Sequence, residues 1–345
     1  MKVHCSMWPG IFGHTLILGC FLSVVAVPAA AQITNPTPQR SYVSRLGSDS
    51  NNCGPAAPCR TFQGALAQTI AGGEVLVLDS AGYGLEGNGA LLTITQPVTI
   101  TVPPGVYAGI SPPAGFDGVI INVPANGTVT IRGLTINGFG GTSGIDVQNG
   151  SVLVLEDSTI ENLVNGVVAV DGFVNITDSR IRDMTGIGVS VTTSSSATNG
   201  LARILSTAFR SIVGAGFYAS DGVGFALRDS WFGGCGVQIS VSGVNPSKGE
   251  ITGNFFNSGT VLVQSTTAGV NAVVEVRRNN FFKGPAAIEA TGPASVVYVS
   301  GNDIFSTPIG ISQAAGAIVY THQDNHIDAS PTPVSGVLTP DTSVY

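Results

Sequence analysis

Glu250 and Glu275, 25 residues apart, are the two carboxylates whose spacing best suits them to act together, and Arg277 stands two places beyond the second. Arg228 and Thr252 hold the corresponding places 49 and 25 residues before Arg277. Carboxylates brought close raise one another's pKa, which suits an acid and a base, and an arginine beside them completes a candidate acid–base group. The plainer chemistry is a surface ion-pair ladder in which Arg228 and Arg277 neutralise the glutamates. Either role requires residues 25 apart to lie side by side, and only a regular repeat does that.

Such a repeat runs from Thr128 to Ile327. Segments such as Ile131-Arg132-Gly133-Leu134-Thr135-Ile136 recur, each closing on Ile or Phe: Ile136, Ile160, Ile181, Phe209, Phe232, Phe256, Phe281, Ile304 and Ile327. The intervals are 24, 21, 28, 23, 24, 25, 23 and 23 residues, the signature of a solenoid. The loop Thr192 to Gly200 accounts for the interval of 28, and projecting loops often line binding grooves. Each coil carries three short strands. One follows a glycine, as in Gly236-Val237-Gln238-Ile239; one leads in, as in Val274-Glu275-Val276; one carries the closing residue. Two places before each close stand Leu134, Ser158, Ser179, Thr207, Ser230, Asn254, Asn279, Asn302 and Asn325. Asn and Ser suit a sharp corner with left-handed backbone, and stacking would make them a ladder of like side chains. The expected fold is all-β: a single-stranded right-handed parallel β-helix with a short N-terminal capping helix. Coils stack about 4.8 Å apart, which makes Glu250 and Glu275 neighbours.

Four regions follow. Residues 1–31 read as a signal peptide: Lys2, an apolar run from Ile11 to Val27, then Ala29-Ala30-Ala31. Residues 32–72 form a lead and cap, in which Cys53 and Cys59 make a disulfide clasp and Phe62, Leu66 and Ile70 fall on one face of a helix. Residues 73–329 form the β-helix, and residues 330–345, rich in Pro, Ser and Thr, a tail. The protein is expected to be secreted, whether extracellular, periplasmic or at the cell surface, with no membrane span. From residue 32 onward 13 basic residues stand against 21 acidic ones, a net charge of −8, which disfavours nucleic acid as a partner. No metal-ligand cluster is visible, and Cys235, closing a repeat, is expected to be buried.

Tyr42-Val43-Ser44, Gly47-Ser48-Asp49-Ser50-Asn51, Cys53, Pro58-Cys59-Arg60-Thr61-Phe62-Gln63 and Ala65-Leu66 resemble the N-terminal cap of secreted bacterial right-handed β-helix proteins of the pectin-lyase-like superfamily. Gly72-Gly73-Glu74-Val75, Ile94-Thr95-Gln96-Pro97-Val98-Thr99-Ile100 and Ile131 to Ile136 extend the resemblance, which spans about residues 41 to 327. It implies the fold. The superfamily includes lyases, hydrolases, adhesins and tailspikes, so no single activity is implied.

The hydrolases of that superfamily use clustered aspartates with a nearby histidine. Here no two aspartates are adjacent, Gly-His-Gly is absent, and the only histidines past residue 31 are His322 and His326, in the final coil. A lyase would hold calcium on the strand after the glycine corner. The outward residues expected there are Asp146, Val168, Gly188, Tyr218, Gln238, Leu262, Glu289 and Ser312, whose two carboxylates lie six coils apart. No cofactor is therefore expected, calcium entering only with a lyase.

Aromatic residues supply the other candidate site. Trp231 and Phe255 take one outward place on adjacent coils, and Phe282 and Phe305 another. Exposed aromatic faces serve sugars or partner proteins, unless the tail folds back over them. The leading reading is a non-catalytic β-helix that binds extracellular or cell-surface polysaccharide or acts as a surface structural element. The alternatives are a polysaccharide lyase or glycoside hydrolase using Glu250, Glu275 and Arg277, and an adhesin or assembly subunit.

Overall fold

A computed structural model describes residues 39–84, 90–194, 199–328 and 330–341; the expected signal peptide lies outside them. Among the described residues three parallel sheets of 13, 11 and 11 strands stack coil upon coil, each interior strand pairing with its counterparts one coil before and one coil after. We call them the entry sheet (Thr128–Arg132, Ser247–Thr252 and Ala272–Arg277 among its strands), the corner sheet (Leu134–Asn137, Trp231–Gly233 and Phe255–Asn257) and the return sheet (Ser143–Val147 and Asn165–Val170). The fold is a right-handed parallel β-helix, the hand that right-twisted strands impose on their crossovers.

Alternation along each strand sends one set of side chains inward. In the corner sheet the inward column includes Phe209, Phe232, Phe256 and Phe281, all fully buried. Their rings stack at centroid spacings of 4.8, 4.8 and 4.7 Å, with planes within 10° of parallel. Burying each ring stabilises the core by roughly 1.5–3 kcal/mol, and the regular stacking adds rigidity.

The corner between entry and corner sheets divides its labour over two residues. Asn254, Asn279 and Asn302 are buried and point inward, and each receives through Oδ1 the backbone N–H of the residue one coil before: Ser230, Asn254 and Asn279, at 2.9, 2.9 and 3.0 Å. Serine takes the same role earlier, where Ser158 and Ser179 accept from the N–H of Leu134 and Ser158 at 3.2 Å. The expected ladder is present. The left-handed backbone, however, lies one residue earlier: Gly133, Asp157, Asp178, Ser206, Asp229, Gly253, Arg278 and Gly301 have φ between 49° and 75°. Two adjacent residues share the bend, and the ladder residue keeps its side chain for bonding across coils.

The N-terminal end is closed by a helix, Phe62–Gln68, whose Phe62, Ala65 and Leu66 are buried. Thr61 caps it, accepting from Gly64 N at 3.0 Å, and Asp49 accepts from Arg60 N, Thr61 N and Thr61 Oγ1 at 2.8–2.9 Å. Ile70 does not join the buried face. The helix stops at Gln68, and Ile70 is 38% exposed. Cys53 and Cys59 form the expected disulfide, both fully buried, with Cα atoms 4.7 Å apart.

At the other end the coils continue past residue 329. Thr332–Ser335 pairs with Ile309–Ala314 in the return sheet, and Leu338–Pro340 pairs with Ile318–Thr321 in the entry sheet. The described tail thus extends the solenoid and does not cover the corner-sheet aromatics. Pro333 stands in register with Gly310 in this last coil.

Candidate functional site

Glu250 and Glu275 are register partners on adjacent entry-sheet strands, as are Thr252 and Arg277. The column continues from Ala226 through both glutamates to Tyr298 and Tyr320. Each carboxylate is engaged by its own arginine. Arg228 Nε reaches Glu250 Oε1 at 2.7 Å and Nη2 reaches the same oxygen, while Arg277 Nη2 meets Glu275 Oε2 at 2.6 Å. All four side chains are between 31% and 57% exposed, so each pair contributes at most about 1 kcal/mol.

Beside them lies a groove of about 490 Å³ lined by Arg228, Asp229, Glu250, Thr252, Arg277 and Arg278. Glu275 is not among its lining residues. The geometry brings Glu250, Glu275 and Arg277 into one neighbourhood but does not turn both carboxylates toward one void. Further along the column Tyr298 and Tyr320 stack at 5.0 Å with planes 17° apart.

On the return sheet the outward register runs Asp146, Val168, Ser190, Tyr218, Gln238, Leu262, Glu289 and Ser312. Ser190 takes the place expected of Gly188. Gly188 falls two residues earlier, where its amide donates to Ala215 O and a Cβ would meet Gly216 O at 2.5 Å. Asp146 and Glu289 remain six coils apart. Among the described residues no three or more His, Cys, Asp or Glu side chains come together.

The corner sheet carries the aromatics. Trp231 pairs with Phe255 and Phe282 with Phe305, and Phe282 lies opposite Asn257, two residues along the strand from Phe255. Four successive coils thus each present one outward ring, with a lateral step midway. Trp231 lies flat across Gly233, where a Cβ would fall 2.0 Å from the indole. Its ring is 4.6 Å from the Arg210 guanidinium, and Lys283 Nζ lies 5.0 Å from the Phe282 centroid. Cation–π contacts of this kind hold a ring in place while leaving apolar surface for a ligand. Phe255 and Phe282 are each 39% exposed, and Phe305 is half-buried with its ring edge-on to His326 at 5.2 Å. Cys235 is buried nearby, and burial pushes its thiol up to about 12, which makes it unreactive.

No known protein family and no curated protein matches the chain in sequence. Solved structures do match it in shape. An alginate lyase from Paenibacillus sp. str. FPU-7 is 18% identical with a TM-score of 0.57, over 82% of this chain and 98% of that one. A rhamnogalacturonan lyase is 13% identical, TM-score 0.53, over 81% and 75%. XylC in its complex with xylose is 9% identical, TM-score 0.57, over 79% and 69%. At such identities the likeness is one of fold alone, and fold does not carry activity. What the chain shares with these structures is the parallel β-helix fold.

Proposed function

We propose that this protein is a non-catalytic β-helix that binds extracellular or cell-surface polysaccharide through the outward aromatics of its corner sheet. The observation that carries the reading is the row of Trp231, Phe255, Phe282 and Phe305 on four successive coils, with Trp231 laid flat over Gly233 beside Arg210. Sugar rings present apolar C–H faces that settle on such surfaces. The ion-paired state of Glu250 and Glu275 supports a binding role over a catalytic one. The disulfide is consistent with an oxidising, extracytoplasmic setting, and no helix among the described residues is long and apolar enough to cross a membrane.

The test uses residues 32–345 in native gels cast with acidic or neutral polysaccharides. Trp231 is the only tryptophan past residue 8, so its emission reports on the same surface. Retardation by at least one polysaccharide is expected, weakened 10-fold or more in Trp231→Ala/Phe255→Ala while circular dichroism is unchanged. Equal retardation of the variant would sink the reading. So would reducing ends or unsaturated product, formed with or without calcium and lost in Glu275→Gln; that result would instead establish the lyase or hydrolase alternative.

A further inference from the structure

A groove of about 760 Å³ lies away from the aromatic row, at the corner between return and entry sheets. Asn126, Asp146, Gln148, Asn149, Asp171 and Phe173 line it. Asn126, Asn149 and Asp171 stand 23 and 22 residues apart at successive corners, with φ of 64°, 56° and 58°. The left-handed corner sets a planar amide or carboxylate group at one coil spacing after another. Local bonds then fix their orientation. Gln148 Nε2 donates to Asp146 Oδ2 at 2.5 Å, Asn149 Nδ2 donates to Asn122 Oδ1 at 2.5 Å, and Ser194 donates to Asp171 through its backbone N–H at 2.8 Å and its hydroxyl. Among the described residues nothing is bonded to the side-chain amide oxygen Oε1 of Gln148 or to Oδ1 of Asp146, which remain as acceptors. Half-buried Phe173 and the 40% exposed Val170 supply an apolar wall.

Planar acceptors held rigid beside an apolar wall match the hydroxyl rim and C–H face of a sugar. Charge narrows the class. Among the described residues no lysine or arginine lines the groove, whereas the carboxylates of Asp146 and Asp171 do, and a negative lining repels a uronate or sulfate. The groove beside Glu250 differs, being lined by three arginines. From this contrast we infer that the groove at Asp146, Gln148, Asn149 and Phe173 is a second glycan site, specific for uncharged sugar residues. The inference rests on the glycan-binding reading above and adds to it a place and a ligand class.

The experiment is calorimetric titration of residues 32–345 with xylohexaose, cellohexaose and hexagalacturonate. Two variants address the groove: Gln148→Ala, and Asn149→Gly, which removes the amide but keeps the left-handed backbone. Leu46→Ser, on the exposed cap, serves as control. A neutral hexasaccharide is expected to bind at least 10-fold more tightly than hexagalacturonate, to weaken 10-fold or more in both groove variants, and to be unaffected by Leu46→Ser. Preference for hexagalacturonate, no binding of either neutral probe, binding abolished by a calcium chelator, or unchanged affinity in the groove variants would each overturn it. If binding is lost in Trp231→Ala but kept in the groove variants, this inference fails and the broader reading survives. Silence with all three probes and with the polysaccharide gels would remove both.

Discussion

Asn279 makes four side-chain hydrogen bonds inside the wall of the solenoid. Its Oδ1 accepts from Asn254 N and Nδ2 at 2.9 and 3.0 Å, and its Nδ2 donates to Ile251 O and Asn302 Oδ1 at 2.8 and 3.1 Å. The side chain is fully buried, so truncation admits no water to replace these partners. Asn279→Ala should leave the Asn254 N–H and the Ile251 carbonyl unsatisfied and destabilise the protein by about 3 kcal/mol. A fall in urea midpoint with unchanged slope would show it; an unchanged midpoint would mean that the ladder is decorative. The ladder itself was legible, because Asn and Ser recur at one offset from each closing residue. Its division of labour was not. Asp157, Asp178 and Asp229 carry the bend, but Arg278 holds the same left-handed place and nothing in its chemistry announces that. Only the stacked backbone decides which of two adjacent residues bends.

Among the elements, the cap is the most dependent on polar groups. Asp79 accepts from Ser44 Oγ at 2.7 Å, Arg45 N at 2.8 Å and Tyr83 Oη at 2.5 Å, so it ties the first turns to the helix end. Burial works to raise its pKa, but the hydrogen bonds from Tyr83, Arg45 N and Ser44 outweigh burial and hold it below the ordinary aspartate value. A folded-state pKa below the unfolded one adds stability above about pH 4, and that stability is lost as pH falls through the folded value. Hydrogen exchange in the helix Phe62–Gln68 should therefore accelerate as pH drops from 5 to 2.5, beyond the intrinsic change. Asp79→Asn should be less protected at pH 5 and should lose the acid-dependent part. A wild-type profile no steeper than the variant's would contradict this. Helix and strands were readable from periodicity, yet Ile70 was assigned to the helix face because i, i+4, i+8 spacing ignores where the helix stops. Here Thr69 ends it, its Oγ1 donating to Ala65 O at 2.7 Å and its backbone turning extended. The polar groove was overlooked for a different reason. Asn126-Gly127, Asn149-Gly150 and Asp171-Gly172 form a visible column in the sequence, but turn residues look alike whether they line a groove or merely turn.

For the molecule as a whole, a solenoid gains stability coil by coil, and each coil contacts only its neighbours. The cap matters more than its size suggests, since it covers the first coil. Opening the seven-residue Cys53–Cys59 loop with paired Ser substitutions should cost about 2 kcal/mol. If that loss is confined to the cap, proteolysis will trim the N-terminal coils first while the Phe209–Phe281 stack stays protected; uniform digestion would show instead that the coils unfold as one unit. The far end bears a different kind of mark. Gly166, Gly188 and Gly216 each give an amide hydrogen to the following coil, and Pro333 occupies their column with no hydrogen to give. A stack of identical parallel strands is a template on which further copies tend to add, as in a fibril. Pro333 leaves the last described return-sheet strand, Thr332–Ser335, short of one of the amide hydrogens to which a further strand would pair.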